Sequence, residues 1–300
     1  MATPEQWLKK LTKLRVDRSR GNIAPHKPLL LLVILELAER GELPTSFLPL
    51  SPELAFRFFG FYSVAAKRRK QKPDIRLPFH YLQSDGFWTA LRDSGERSEN
   101  YRLTRLVEMA SDFVACTADP SWREKARRIL IGTYFPLIEQ LALFELFGMP
   151  VPPQAQLKQE LDAAERVDAV KRGREARFRV SVVAAYSYTC ALTGYRLTTV
   201  SAGSIVDAAH IHQFADSRNN DPRNGIALCK NAHWLFDQGL WSLTDDYRIL
   251  VASGKFTEDS PDQKTLLSYH GSRVRLPKDK LLWPNPIHLA WHRSKKLQAS

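Results

Sequence analysis

The sequence predicts an α+β protein in two parts: a mainly helical first half, and a second half in which short strands flank a short helix. Three observations carry this reading. Apolar residues recur at helical spacing through much of the first 147 residues. A proline-rich break, MPVPPQAQ at 149–156, then interrupts the pattern. Beyond it, residues 205–239 hold a short apolar run ending in His210, an Asn-Gly turn (Asn224, Gly225), a second short strand over 226–229 and a helix-like segment carrying His233. The predicted organisation is a domain over 1–150, a charged linker over 151–175 and a second domain over 176–300.

Taken in order, residues 5–16 place Trp7, Leu8, Leu11 and Leu14 on one helical face with lysines opposite. The basic loop DRSRGNIAPHKP (17–28) runs straight into LLLLVILELA (29–38), an apolar helix that ends at Gly41. Pro28 suits that helix's first turn, whose open N–H groups make an anion site. An aromatic-rich helix or helix pair is expected over 52–66, and then KRRKQKPDIR (67–76), the densest positive run. LPFHYLQSDGFWTAL (77–91) reads as strand-like around a Ser-Asp-Gly turn, with helices resuming at 104–115 and 121–147. A charged helical stretch over 157–183 joins the halves. After the 205–239 stretch, 242–253 alternates as a strand pair about an Asp-Asp turn, and the tail's Trp283, Trp291 and His292 cover the core.

Composition narrows the function classes. A formal charge of +12 and a pI near 9.7 point to a polyanionic partner. Three scattered cysteines, Cys116, Cys190 and Cys229, contain no CxxC pair, which argues against a disulfide framework and fits a reducing cytoplasm. The N-terminal stretch lacks an apolar signal core, and ten apolar residues at 29–38 are too few to span a bilayer, so no membrane role is expected.

His, Asn and His in that order, on two short strands and a helix, can close around one divalent ion. The pieces AAHI, NGIALC and HWLFDQG resemble the HNH (ββα-metal) nuclease motif, in the variant found in modification-dependent restriction enzymes. The resemblance implies hydrolysis of a phosphodiester by a water deprotonated beside a Mg²⁺- or Mn²⁺-class ion. His210 is then the general base, a neutral imidazole near pH 7. His233 is a metal ligand, and Asn224 pins either the hairpin or the scissile backbone. In the commoner pattern an Asp or His directly precedes the base; here that position is Ala209, leaving Asp207 as the nearest upstream carboxylate and the expected anionic ligand. Asp237, four residues after His233, would orient it from the same helix face. Many relatives brace the finger with zinc on two CxxC pairs. CALTG (190–194) has Thr193 where the second cysteine would stand, so no structural zinc is expected and Cys190 is read as a small buried apolar residue.

In the first half, APHKPLLLL and PDIRLPFHYLQSDGFW together look like the sulfur-binding domain of phosphorothioate-dependent (type IV) restriction endonucleases, a family that joins such a domain to a C-terminal HNH domain. The implied partner is double-stranded DNA with sulfur in place of a non-bridging phosphate oxygen. An apolar cup with a proline ring accepts soft, weakly hydrated sulfur, whereas it would strip water from an oxygen without replacing the hydrogen bonds. Pro25 or Pro28, with His26 and Lys27, are the cup candidates. Arg76, His80 and Ser84 are assigned to phosphate or base contacts, and Arg68 and Arg69 to clamping the backbone. One site per chain and two strands to cut imply a homodimer or two binding events. The alternatives are an HNH enzyme reading another modification or an unmodified sequence, and a DNA-binding module with a degenerate nuclease.

Overall fold

The computed structural model describes residues 2–18, 23–65, 73–151, 163–259 and 261–297. Its contacts divide the chain into two compact units, Met1–Ala176 with Thr199–Gly203, and Arg177–Thr198 with Ser204–Ser300. The mixture of helices and small sheets is the expected α+β class. Arg68 and Arg69, the rest of the 67–72 basic run, Gly21, and residues 152–162 of the expected linker lie outside the described residues.

The first unit is built on helix α2 (His26–Glu39), whose residues Leu29 to Leu35 are all at most 1% exposed. A helix apolar on every side must sit centrally, and this one does. Around it lie α1 (Pro4–Leu11), α3 (Pro52–Ala65), α4 (Arg76–Tyr81), α5 (Ser111–Thr117), α6 (Pro120–Tyr134) and α7 (Leu137–Phe147). α1 is capped reciprocally by Thr3 and Gln6, and its Trp7 packs against Phe87 and Phe113 at 5.2 and 5.1 Å. Tyr134 closes its far end, donating to the Leu11 carbonyl and accepting from the Leu14 N–H, each at 2.8 Å. The pattern over 121–147 resolves into α6 and α7, parted at Pro136, which has no N–H to continue α6 and whose carbonyl opens α7 by accepting the Gln140 N–H at 3.0 Å.

Two expectations change in this unit. Residues 76–81 form a short helix, and the strand β2 starts only at Trp88 (Trp88–Leu91), after Gly86 turns the chain at φ 73°. The 104–115 segment is a strand followed by a helix. β3 (Leu106–Met109) runs antiparallel between β1 (Phe47–Pro49) and β2, with Val107 and Met109 buried and Glu108 exposed. That alternation is a strand's period.

Helix α8 (Ala163–Ala185) starts in the first unit and ends in the second. Its Gly173 lies so close to the Ala142 carbonyl that a Cβ there would be 2.3 Å from the oxygen. In the second unit, β4 (Val206–His210) pairs antiparallel with β5 (Gly225–Cys229), and α9 (Lys230–Asp237) follows directly. β6 (Trp241–Leu243) and β7 (Ile249–Val251) make a second hairpin, and α10 (Pro286–His292) packs on it. His292 is buried; it stacks on Phe236 at 3.7 Å and bonds Ser242 and the Phe236 carbonyl. Burial pushes its pKa down to about 4, so it is a neutral core histidine.

Candidate functional sites in the two units

The strand parity of β4 decides what shares the second unit's cavity. Ala208 and His210 point to one face, Asp207 and Ala209 to the other. A cavity of about 360 Å³ is lined by Ala208, His210, Gln213, Phe214, Ala215, His233 and Asp237. The two predicted histidines thus come together, His210 from the end of a strand and His233 from a helix. Asp237 joins them because residues four apart share a helix face, its Oδ2 lying 3.4 Å from His233 Nε2. Asp207 does not join them. It sits on the opposite face and pairs with Arg179 at 2.7 Å, so its expected role as the anionic metal ligand is corrected, and Asp237 is the carboxylate that faces the cavity.

His210 is held on several sides. Its ring stacks on Phe178 of α8 at 3.9 Å and 6°, and Phe214 flanks it at 5.8 Å. Nε2 lies 2.9 Å from Asn220 Oδ1. Directly across the ladder is Gly225, where a Cβ would come within 2.4 Å of Val182 and 2.8 Å of Phe178. Only a glycine lets α8 approach that closely. The Asn-Gly pair is therefore no hairpin turn: Gly225 is extended at φ −127°, and a long loop, 211–224, connects the strands.

Asn224 organises that loop. It is fully buried, its Oδ1 accepts the His212 N–H at 2.8 Å, and its amide donates to the carbonyls of His212 and Asn219 at 2.9 and 3.0 Å. Of its two expected roles the geometry is that of the hairpin pin, and it does not line the cavity. His212 stacks on Trp291 at 4.1 Å and does not line the cavity. Phe178 and Asn220 were invisible to motif reading, since both reach His210 through tertiary contacts; Asp237 was signalled by its i+4 spacing.

Among the described residues, no group of three or more His, Cys, Asp or Glu is gathered as a metal site. His233 and Asp237 nevertheless form an imidazole–carboxylate pair on the cavity wall. Two protein donors fit a Mg²⁺- or Mn²⁺-class ion, which keeps several waters and takes further ligands from a phosphate. Cys190 is buried and, like Cys229, a free thiol.

The first unit carries a cavity of about 630 Å³ between the N-terminus of α2 and α4, lined by Arg15, Val16, Asp17, Ala24, His26, Lys27, Leu77, Pro78, Tyr81 and Ser84. His26 and Lys27, the expected cup residues, line it, and so does Ser84, assigned above to phosphate or base contacts. Pro25 and Pro28 are both buried and absent from the lining; the proline on this wall is Pro78. Lys27 is tied to Asp85 at 2.6 Å and to Ser84 at 3.3 Å. Asp85 in turn accepts the Arg15 N–H at 2.8 Å.

His80 needs correction as a DNA contact. It is 4% exposed, its Nδ1 donates to Thr104 Oγ1 at 2.8 Å, and its Nε2 accepts from the Gln83 amide at 3.1 Å. Thr104 passes the chain on to Ser98 at 2.9 Å, so His80 braces the loop between β2 and β3. Desolvation lowers its pKa and keeps it neutral. Arg76 is exposed on the surface, paired at both ends with Asp74 at 2.9 and 2.8 Å, and is not part of the cavity lining.

Residues 190–244 match the family model described as HNH endonuclease, and residues 4–151 match that described as ScoMcrA-like, DNA sulfur-binding domain. Among solved structures, the modification dependent TagI restriction endonuclease is similar at 21% identity and a TM-score of 0.30, over 40% of this chain and 37% of that one. The chain thus spans little more than a third of that protein's length. No curated protein matches. By its two family matches, the chain joins a ScoMcrA-like DNA sulfur-binding domain to an HNH endonuclease domain.

Proposed function

We propose that the chain is a modification-dependent DNA endonuclease of the cytoplasm. Residues 1–150 recognise phosphorothioated double-stranded DNA, and residues 176–300 hydrolyse phosphodiesters nearby. The observation that carries this is the meeting of His210, His233 and Asp237 on one cavity inside the HNH-matched residues. In this reading His210 takes the proton of the attacking water. His233 and Asp237 hold a divalent ion, which when bound neutralises charge on the phosphate. Asn224 shapes the loop beside the base. With the HNH match confined to residues 190–244, double-strand cleavage is the work of a dimer or of two binding events.

On the DNA-reading side, the cavity lined by Leu77, Pro78, Tyr81 and Ala24 supplies the apolar wall that favours sulfur, and Arg15, His26 and Ser84 supply polar contacts at its edge. Discrimination follows from desolvation: a phosphate oxygen entering such a wall loses water hydrogen bonds worth about 1–3 kcal/mol. The test is cleavage of matched plasmids with and without phosphorothioate linkages, in Mn²⁺ and in Mg²⁺. Cleavage confined to the sulfur-bearing plasmid is expected. Equal cleavage of both would remove the sulfur reading and leave an HNH nuclease, and cleavage of neither would remove the enzyme.

A further inference from the structure

We infer that Cys190 and Cys229 form a site of reversible oxidation, two thiols that a hydroperoxide closes into a disulfide beside the start of α9. The fold brings them together from distant parts of the sequence. Cys190 opens the CALTG turn, which closes where its carbonyl accepts the Gly194 N–H at 2.9 Å. The next N–H, that of Ala191, donates to the Ala227 carbonyl of β5 at 2.8 Å, so the turn lies against the strand that ends in Cys229. Cys229 also stands at the N-cap of α9. The two cysteine side chains are hydrogen-bonded to each other, and the Thr193 N–H reaches Cys190 Sγ at 3.5 Å. Cys190 is fully buried and Cys229 half-buried. Reading Cys190 as a small apolar residue accounts for its burial and leaves its sulfur unexplained.

Among the described residues no group of three or more His, Cys, Asp or Glu includes them, and two sulfurs alone do not make a four-coordinate zinc site. Their chemistry is that of a dithiol. Accepting the Cys229 S–H, with the Thr193 hydroxyl and N–H beside it, holds the Cys190 thiol below its ordinary pKa although burial opposes this. A proton passed across that hydrogen bond leaves the thiolate on Cys229, the sulfur that solvent reaches. Cys229 then attacks one peroxide oxygen: an S–O bond forms, the O–O bond breaks, and hydroxide leaves and is protonated to water. The Cys190 thiol attacks that sulfenic sulfur: the S–S bond forms, the S–O bond breaks, and the oxygen leaves with the Cys190 proton as a second water. Two thiols thereby pass two electrons to one peroxide, and a dithiol reductant reverses the step by exchange. The new bond ties the CALTG turn to the residue directly before the helix that carries His233 and Asp237, and it removes conformations from the unfolded chain.

The experiment treats the full chain with hydrogen peroxide, blocks the remaining thiols with a maleimide in denaturant, and maps the peptides by mass spectrometry with and without dithiothreitol. Untreated protein should label at all three cysteines. After peroxide only Cys116 should label, and a dithiothreitol-sensitive peptide joining Cys190 to Cys229 should appear. The melting midpoint of the second unit should rise by several degrees in the oxidised protein and return on reduction. Cys229→Ser should leave Cys190 open to label after peroxide, and Cys190→Ala should leave Cys229 as a sulfenic or sulfinic acid, each without a shift in midpoint. Should either variant fail to fold, the wild-type peptide map still decides. Labelling of all three cysteines after peroxide, or a sulfinic Cys229 beside a free Cys190, overturns the inference. Zinc released from untreated protein by the maleimide, in equal amount to the chain, also overturns it by making the pair a metal site. A cross-link that leaves the midpoint unmoved overturns the bracing of α9.

Discussion

Gly225→Ala tests the packing that holds His210 in place. The new methyl would stand 2.4 Å from Val182 Cγ2 and 2.8 Å from Phe178 Cζ. Carbon atoms settle at about 3.5–4.0 Å, so each neighbour must retreat by roughly 1 Å. Val182 and Phe178 are 1% and 3% exposed and have no room to do so without moving α8. Overpacking of this kind costs about 1–3 kcal/mol. Backbone strain adds nothing, because Gly225 is already extended at φ −127°, and alanine recovers about 0.5–1 kcal/mol of strand entropy. The net expectation is a loss of about 1–2 kcal/mol, read as a lowered denaturant midpoint of the second unit's transition. Cleavage should fall further than stability alone explains, since the displaced Phe178 is the ring on which His210 stacks. Val182→Ala removes the offending methyl, so the double variant should be more stable than the sum of the two single changes implies. A Gly225→Ala protein with wild-type midpoint and rate would refute the close approach of α8 to the hairpin.

Other expectations follow from the same geometry. His210→Ala should lower cleavage by about 10²–10⁴-fold while leaving the affinity for sulfur-bearing DNA within about twofold, measured by single-turnover kinetics and equilibrium binding. His233→Ala and Asp237→Ala should each raise the Mn²⁺ concentration needed for half-maximal cleavage, whereas Asp207→Ala should leave it unchanged; a shift with Asp207→Ala alone would restore the original ligand assignment. His292 has its pKa held at about 4, below an unfolded value near 6.5, so the unfolded state binds more protons between those values. Stability is full above pH 6.5 and falls by up to about 3 kcal/mol as pH drops to 4, and His292→Phe should flatten that slope in melts taken between pH 4 and 7. Binding of ordinary DNA should fade steeply with salt, while the ratio of affinities for sulfur-bearing and ordinary duplexes should change little, because substitution of sulfur leaves the counterion count the same.

The second unit's finger was legible because its chemistry is packed into a short stretch with strong local periods. His210 and His233 follow from the motif, and Asp237 from helical spacing. The Asp207 error was avoidable on the same grounds: residues 207 and 210 are an odd number apart on a strand and must face opposite sides. The Asn-Gly reading failed for a subtler reason. Glycine there answers a steric demand from Val182 and Phe178 of α8, 43 and 47 residues upstream in the chain, and the local pair imitates a turn signal. Phe178 and Asn220 carried no signal at all, since neither residue type implies a histidine partner.

The first unit shows the opposite balance. Most of its helices could be read from apolar spacing, but its site could not, because what matters there is which side chains a central helix turns outward. In APHKP the two prolines turn into the core while His26 and Lys27 face the cavity, and the apolar wall comes from α4, where the sequence pattern suggested a strand. Lys27 also behaves differently from what a basic motif implies. With side chains 11% and 3% exposed, Lys27 and Asp85 form a closed ion pair at 2.6 Å, and breaking such a pair leaves an uncompensated buried charge. A phosphate that recruited Lys27 would have to strand Asp85, which the Arg15 N–H also holds. On the proposed reading, the carboxylate weakens the cavity's attraction for phosphate charge in general and leaves desolvation to decide between sulfur and oxygen. Asp85→Asn should accordingly raise affinity for ordinary DNA more than for sulfur-bearing DNA and narrow the ratio between them, whereas a purely electrostatic site would leave the ratio unchanged.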